Sequence, residues 1–247
     1  MALVDAHYRA IAASSHLPPD AARQLLEVGF VVIRGPIVLR DVPRLQDAYD
    51  RAVAAADATD VRISSSTRVT DFVTRGPEFD SIYVYPPLLA ACCLIIGGPF
   101  KLSGTRARTL EPGAASESLH VDVKHQADGW PIVGFIMMID AFDAENGATR
   151  FVPGSHLQPG EPSPAIADRN YVHERQALAC GPAGSIIIYN GSAWHGHTAN
   201  RSDRRRRSLQ GHFIPRLAKA SVDHHSRMRP EVLARVGDIA KYVLAIE

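Results

Sequence analysis

The chain has 247 residues, 46% hydrophobic and 21% charged, a length and balance that suit one globular domain with a sizeable core. Its formal net charge of +1 gives no overall field toward nucleic acid or an anionic membrane. Three cysteines, Cys92, Cys93 and Cys180, are too few for a disulfide framework and lack metal-ligand spacing, as expected in a reducing compartment. The opening stretch carries charge and no long apolar run, so no secretory signal is expected. The most apolar run, 87–96, is bounded by Pro86 and Gly97-Gly98-Pro99 and is too short to span a bilayer. The expectation is a cytoplasmic protein, monomeric or homodimeric, whose partner is a small molecule rather than a nucleic acid or a membrane.

In chain order, residues 1–98 read as mostly helical. Asp20 can cap a helix over 21–28, with Leu25, Leu26 and Val28 on one side. Gly29-Phe30-Val31-Val32-Ile33-Arg34 reads as a buried strand stopped by Gly35-Pro36. Asp41, with Pro43 in the first turn, opens a second helix over 42–56. Residues 57–81 are polar, rich in Ser and Thr and without period, which predicts a surface loop or lid. Residues 87–96 predict a short buried helix ended by Gly97-Gly98. From Phe100 the pattern changes to strands over 100–110, 119–124, 132–139, 149–152, 184–189, 194–197 and 206–214, separated by turn clusters such as Glu145-Asn146-Gly147. Short strands at this spacing predict a sandwich or barrel. The tail carries Val232, Leu233, Val236, Ile239, Ala240 and Val243 at helical spacing. The fold expected is mainly β with flanking α-helices: a double-stranded β-helix (jelly roll, cupin-like) core over 99–216, a helical part over 1–98 before it and a C-terminal helix over 229–246.

His120-Val121-Asp122 sets two candidate metal ligands two residues apart. On an extended strand both side chains share a face, with Cβ atoms roughly 6–7 Å apart, a gap that one divalent metal can bridge. His195 is the best placed third ligand, and two histidines with one carboxylate make the facial arrangement of non-haem Fe(II) oxygenases. With 11 histidines in the chain, a His-x-Asp triplet also arises by chance on the polar face of a strand. A 2-oxo acid co-substrate would need a cation for its far carboxylate, and the planar fork of arginine suits that task. Arg204-Arg205-Arg206-Arg207 follows at the right place. Strand alternation lets either Arg204 with Arg206 or Arg205 with Arg207 face a site, and leaves the others to solvent.

Taken in order, Gly29-Phe30-Val31-Val32, His120-Val121-Asp122, Asn146-Gly147-Ala148-Thr149-Arg150-Phe151-Val152-Pro153-Gly154-Ser155-His156, Ala183-Gly184-Ser185 and His195-x4-Asn200-x5-Arg206 resemble the phytanoyl-CoA dioxygenase family of Fe(II)/2-oxoglutarate-dependent oxygenases. The resemblance covers about residues 25–215. It implies His120, Asp122 and His195 as iron ligands, Arg206 as the 2-oxoglutarate arginine, Thr149 as a hydroxyl contact to 2-oxoglutarate, and Asn200 as a brace for the loop after His195, where an amide also suits an ordinary turn. The cofactors it implies are Fe(II), 2-oxoglutarate and O2, with release of succinate and CO2. Relatives that halogenate lack the carboxylate, so Asp122 points instead to hydroxylation, desaturation, cyclisation or epimerisation of a small organic metabolite, a natural-product intermediate above all.

His197 stands where relatives carry a small residue. Its spacing from His195 leaves it as an alternative ligand, a co-substrate contact or a substrate-facing base. Arg62, Ser64, Ser65, Ser66, Arg68, Arg106, Arg108 and Lys124 could line a basic mouth suited to an anionic substrate. His125, His156 and His173 read as structural or surface residues, and His224-His225 as exposed. Two other readings remain at this stage: a cupin-like metal or 2-oxo-acid binding or sensing protein without turnover, and a jelly roll whose histidines coincide by chance.

Overall fold

The computed structural model of the chain describes residues 2–64, 66–124, 131–158, 162 and 168–246. Its first half supplies helices α1 (Ala2–Ser14), α2 (Pro19–Val28), α3 (Val42–Ala54), α4 (Asp80–Tyr83) and α5 (Pro86–Ile96). Gly29 ends α2 in a left-handed conformation, φ +93°, with its N–H donated to Leu25 O. A Cβ there would stand 2.6 Å from Nδ1 of His156, so the same glycine also admits the buried ring that ties this corner to the turn after Pro153. Ring Nε2 of His156 reaches Leu26 O at 2.9 Å, a structural role as expected.

The strands are β1 (Phe30–Arg34), β2 (Val61–Ile63), β3 (Thr67–Thr70), β4 (Phe100–Leu110), β5 (Val133–Met138), β6 (Thr149–Phe151), β7 (Ala177–Ala179), β8 (Ser185–Asn190), β9 (His195–His197) and β10 (Arg206–Pro215). They form a seven-stranded sheet in the order β1-β8-β5-β10-β4-β3-β2 and a three-stranded sheet in the order β7-β6-β9, all pairs antiparallel. This is the jelly-roll core expected. One face of the large sheet carries Val133, Phe135, Met137, Ile186, Ile188, Leu209 and Phe213 into the core beneath the helices. The other carries Ile136, Met138, Ile187 and Tyr189 toward the small sheet, where Phe30 stacks on Phe151 at 4.3 Å. Burial of two faces explains why β5 and β8 read as continuous apolar runs.

A bulge decides which side chains of β4 reach the interior. His212 pairs with Gly104 and Phe213 with Leu102, so Ser103 is one residue too many. Before it Phe100 and Leu102 face the helices; after it Ala107 does. The extra residue therefore turns Arg106 and Arg108 inward.

Several expectations need correction. Residues 57–81 are not a loop or lid: they hold the β2–β3 hairpin, which widens the large sheet, and 3-10 turns with Phe72, Val73 and Phe79 fully buried. The strand expected over 119–124 is a single bridge at His120. The tail is not one helix. It breaks into α7 (Pro230–Arg235) and α8 (Asp238–Leu244) at Val236-Gly237, after a short α6 (His224–Arg227). His224 is buried, while His225 is exposed. β7 was not foreseen. The helical turns over Pro77–Ile96 are long and apolar enough by composition to cross a membrane, yet Tyr85 parts α4 from α5 and Ile82, Leu88, Leu89 and Cys92 pack into the core.

Candidate metal centre and co-substrate cavity

Segment 117–120 runs antiparallel to β9 and brings the first two ligands together. His120 and His195 exchange backbone hydrogen bonds at 2.9 Å, and Glu117 N–H donates to His197 O at 2.9 Å. Gly196 permits this approach, because a Cβ would lie 2.9 Å from the carbonyl oxygens of Glu117 and Ser118. The chain then bends, and Asp122 N–H donates to Gly191 O at 2.9 Å. The carboxylate arrives by this bend rather than by strand alternation. Ligand atoms of His120, Asp122 and His195 all lie within 4.8 Å of one another, and they are the one such group among the described residues.

Each member is held from behind. Nδ1 of His120 lies 3.0 Å from Ser118 O, and Nδ1 of His195 lies 2.9 Å from Ala193 O. A carbonyl only accepts, so Nδ1 carries the proton in both rings and Nε2 keeps its lone pair for a metal. Burial pushes His195 down to about 4 against the pull of Asp122, which keeps the ring neutral at pH 7. Asp122 Oδ2 accepts the Tyr189 hydroxyl at 2.8 Å and His212 Nε2 at 3.0 Å. Burial raises the Asp122 carboxyl, but His212 and His195 more than reverse this and hold it well below the usual carboxylate range. Tyr189 reaches across because Gly134, its cross-strand partner, has no side chain: a Cβ would stand 2.1 Å from the Tyr189 ring. Phe151 stacks on His195 at 5.6 Å and completes the support.

Beside this group lies a cavity of about 240 Å³ between the sheets. Thr149, His195 and His197 line it from the small sheet; Arg68, Arg106, Arg108, Arg206 and Gln210 line it from the large one. Arg206 is 1% exposed, stacks on Phe142 with 4.2 Å to the ring centroid, and leaves Nε and Nη1 without hydrogen-bond partners. Burial and the nearby Arg108 guanidinium pull it down to about 9, so it remains charged at pH 7. A buried cation with open donors fits an anion in reach. The other three arginines point away. Arg207 forks onto Asp140 at 2.7 and 2.9 Å and meets Asp50 at 2.8 Å; Arg205 also pairs with Asp50, and exposed Arg204 with Asp143.

His197 stands outside the metal group. Nδ1 lies 2.9 Å from Thr198 O, and Nε2 is buried without a hydrogen-bond partner, 3.8 Å from Glu117 Oε2. Burial and the Arg108 charge push it down to about 3. Asn200 does not line the cavity: its amide donates to Leu110 O and Arg204 O, and its oxygen accepts from Ser202, which braces the turn into β10. Of the expected mouth, Arg62, Ser64 and Lys124 are exposed and off the cavity wall, while Ser66 is buried and accepts from Arg108 Nε at 3.2 Å. Ser65 and His125 lie outside the described residues.

Sequence reasoning missed Tyr189, His212 and Glu117. The last forks onto Arg108 at 2.8 and 2.9 Å and accepts from Arg68 at 3.1 Å. Alternation from Arg206 through Ser208 and Gln210 would have reached His212. No local signal marks the other two.

The profile of the phytanoyl-CoA dioxygenase (PhyH) family matches residues 103–208. The dioxygenase andF of Emericella variicolor is 28% identical over 233 residues, covering 86% of this chain and 79% of its own. Among solved structures, HygX from Streptomyces hygroscopicus with nickel, 2-oxoglutarate and hygromycin B bound superposes with a TM-score of 0.68 at 16% identity, covering 83% of this chain and 90% of that one. The non-heme alpha ketoglutarate dependent carbocyclase SnoK from nogalamycin biosynthesis gives a TM-score of 0.66 at 19% identity, covering 89% and 93%. At these identities the two structures speak for the fold.

Proposed function

We propose that this iron- and 2-oxoglutarate-dependent dioxygenase, whose residues 103–208 match the phytanoyl-CoA dioxygenase family, oxidises a small organic metabolite, an intermediate of natural-product biosynthesis, with release of succinate and CO2. The observation that carries this reading is the convergence of three ligand atoms beside a buried, unpartnered guanidinium in one cavity. The substrate class is supported by what similar proteins handle: hygromycin B is bound in HygX, and SnoK belongs to nogalamycin biosynthesis.

His120, Asp122 and His195 would hold the iron, which supplies O2 activation and removal of a substrate hydrogen atom. The chain's own part is orientation and exclusion of water. Ser118 O and Ala193 O fix the two rings, and Tyr189 and His212 hold Asp122 Oδ2 so that the carboxylate stays ionised. Arg206 receives the far carboxylate of 2-oxoglutarate, with the Thr149 hydroxyl on the facing wall; His197, whose Nδ1 proton is held by Thr198 O, offers Nε2 to this end of the cavity only as an acceptor. Asn200 keeps the turn that delivers Arg206. With Asp122 in place, the outcome is hydroxylation, desaturation, cyclisation or epimerisation rather than halogenation. In this reading the protein works in the cytoplasm on a small molecule alone, as a monomer or homodimer, and its three cysteines stay unpaired.

Succinate release is the test. Protein supplied with Fe(II), 2-oxoglutarate and O2 should form succinate, faster with a true substrate, and Asp122→Ala should abolish it. Co-substrate binding without succinate over a broad metabolite panel would return the protein to the class of non-catalytic binders.

A further inference from the structure

The inner face of the large sheet holds more positive charge than one co-substrate can use. Three neighbouring strands contribute: Arg68 from β3, Arg106 and Arg108 from β4, and Arg206 from β10, all on the cavity wall. Arg68 and Arg108 stand directly opposite each other in the β3–β4 register, a like-charge pair that destabilises a sheet unless something neutral or negative intervenes. Glu117 is that partner. It takes both forks of Arg108 and one nitrogen of Arg68, and these bonds hold its carboxyl down to about 2 against the effect of burial.

The remaining charge has no answer in the protein. When a divalent metal and the doubly negative 2-oxoglutarate are both in place they cancel. Four guanidiniums then face two carboxylates, Glu117 and Asp122, and two positive charges stay uncompensated. Among the described residues Arg106 makes one hydrogen bond, from Nε to Gln210 Oε1 at a long 3.4 Å, and no ion pair. Arg68 keeps a buried Nε with no partner. Arg206 lies beyond Gln210 on β10, whose register sets Gln210 opposite Arg106 and Arg206 opposite Leu110. The open donors of Arg106 are thus a second position, separate from the co-substrate arginine.

We propose that Arg106, with Arg68 beside it, forms a carboxylate-binding subsite that orients the substrate, so that the substrate is a small organic acid. This rests on the dioxygenase reading and names its substrate class. A carboxylate is favoured because the same arginine cluster already holds one, that of Glu117, in a bidentate fork. The cavity of about 240 Å³ shared with the co-substrate admits the reacting end of a molecule, and its charged walls suit an acid better than a hydrocarbon.

The test uses full-length protein loaded with Ni(II) and saturated with 2-oxoglutarate, so that no turnover occurs, titrated calorimetrically with matched probes: propionate against propionamide and benzoate against benzamide. The expected result is that at least one acid binds about tenfold or more tightly than its amide. Arg106→Gln should remove that preference, and Arg106→Lys should keep most of it. The 2-oxoglutarate titration, run first on every variant, shows that the cavity is intact and should change less than about twofold. Equal binding of acids and amides, no binding of any probe, or an acid preference that survives in Arg106→Gln overturns the inference while leaving the dioxygenase reading untouched. Failure of 2-oxoglutarate itself to bind the nickel-loaded wild type removes that reading, and the subsite with it.

Discussion

The two walls of the cavity are built on opposite principles. On the side of the three candidate ligands each residue is held from behind: Nδ1 of His120 and of His195 rests on a backbone carbonyl, and Asp122 Oδ2 is held by Tyr189 and His212, which reach it from the large sheet. On the large-sheet side Arg206, Arg106 and Arg68 present donors with nothing to receive them. Saturation fixes geometry before a metal arrives; unsatisfied charge stores an affinity that only an anion releases. One wall is preorganised and the other is poised.

Removing a metal ligand should break the first wall completely. His195→Ala leaves a two-residue remnant, and Fe(II) content after reconstitution should fall to background while the unloaded protein melts cooperatively; full metal content in the variant would refute the assignment. On the second wall, Arg206→Gln removes the charged fork but no internal hydrogen bond. It should weaken 2-oxoglutarate by roughly 100-fold, the value of one or two charge-assisted bonds, with metal affinity unchanged. An unchanged 2-oxoglutarate titration would shift that role to another arginine.

Glu117 joins the two walls, and its effect depends on pH. Its folded pKa of about 2 lies below the ordinary 4.5, so the stability it contributes is present above about pH 5 and is lost as pH falls toward 2. Glu117→Gln should cost on the order of 2–3 kcal/mol at pH 7. The gap in Tm from wild type should shrink steadily as the pH of the metal-free proteins is lowered through that window; a constant gap would mean that the Arg108 fork contributes nothing. Tyr189→Phe is the mildest probe. It removes one of two donors to Asp122 and should weaken Fe(II) binding about tenfold with 2-oxoglutarate affinity per iron site retained.

The same contrast explains what the sequence could and could not tell. His120, Asp122, His195 and Arg206 sit at spacings that a reader of strands and turns can use, and β4 and β10 carry enough alternation to be bounded within a residue or two. The choice among four arginines needed the register. Arg206 faces in because Leu209 and Phe213, at odd positions of the same strand, face the helices. Tyr189 and His212 were hidden by distance, 67 and 90 residues from the Asp122 they hold. The β2–β3 hairpin was hidden by length: Val61-Arg62-Ile63 and Thr67-Arg68-Val69-Thr70 are too short for the alternation of apolar and polar residues to mark them as strands. The inward turn of Arg106 and Arg108 depends on one extra residue, Ser103, which no periodicity announces.

The most direct measurement is an anaerobic visible spectrum of the metal-free protein titrated with Fe(II) and then with 2-oxoglutarate. A charge-transfer band that requires both additions, is absent in His120→Ala and needs far more 2-oxoglutarate in Arg206→Gln is the predicted result. A folded wild-type protein that binds Fe(II) yet develops no band at saturating 2-oxoglutarate would contradict the assignment of this cavity.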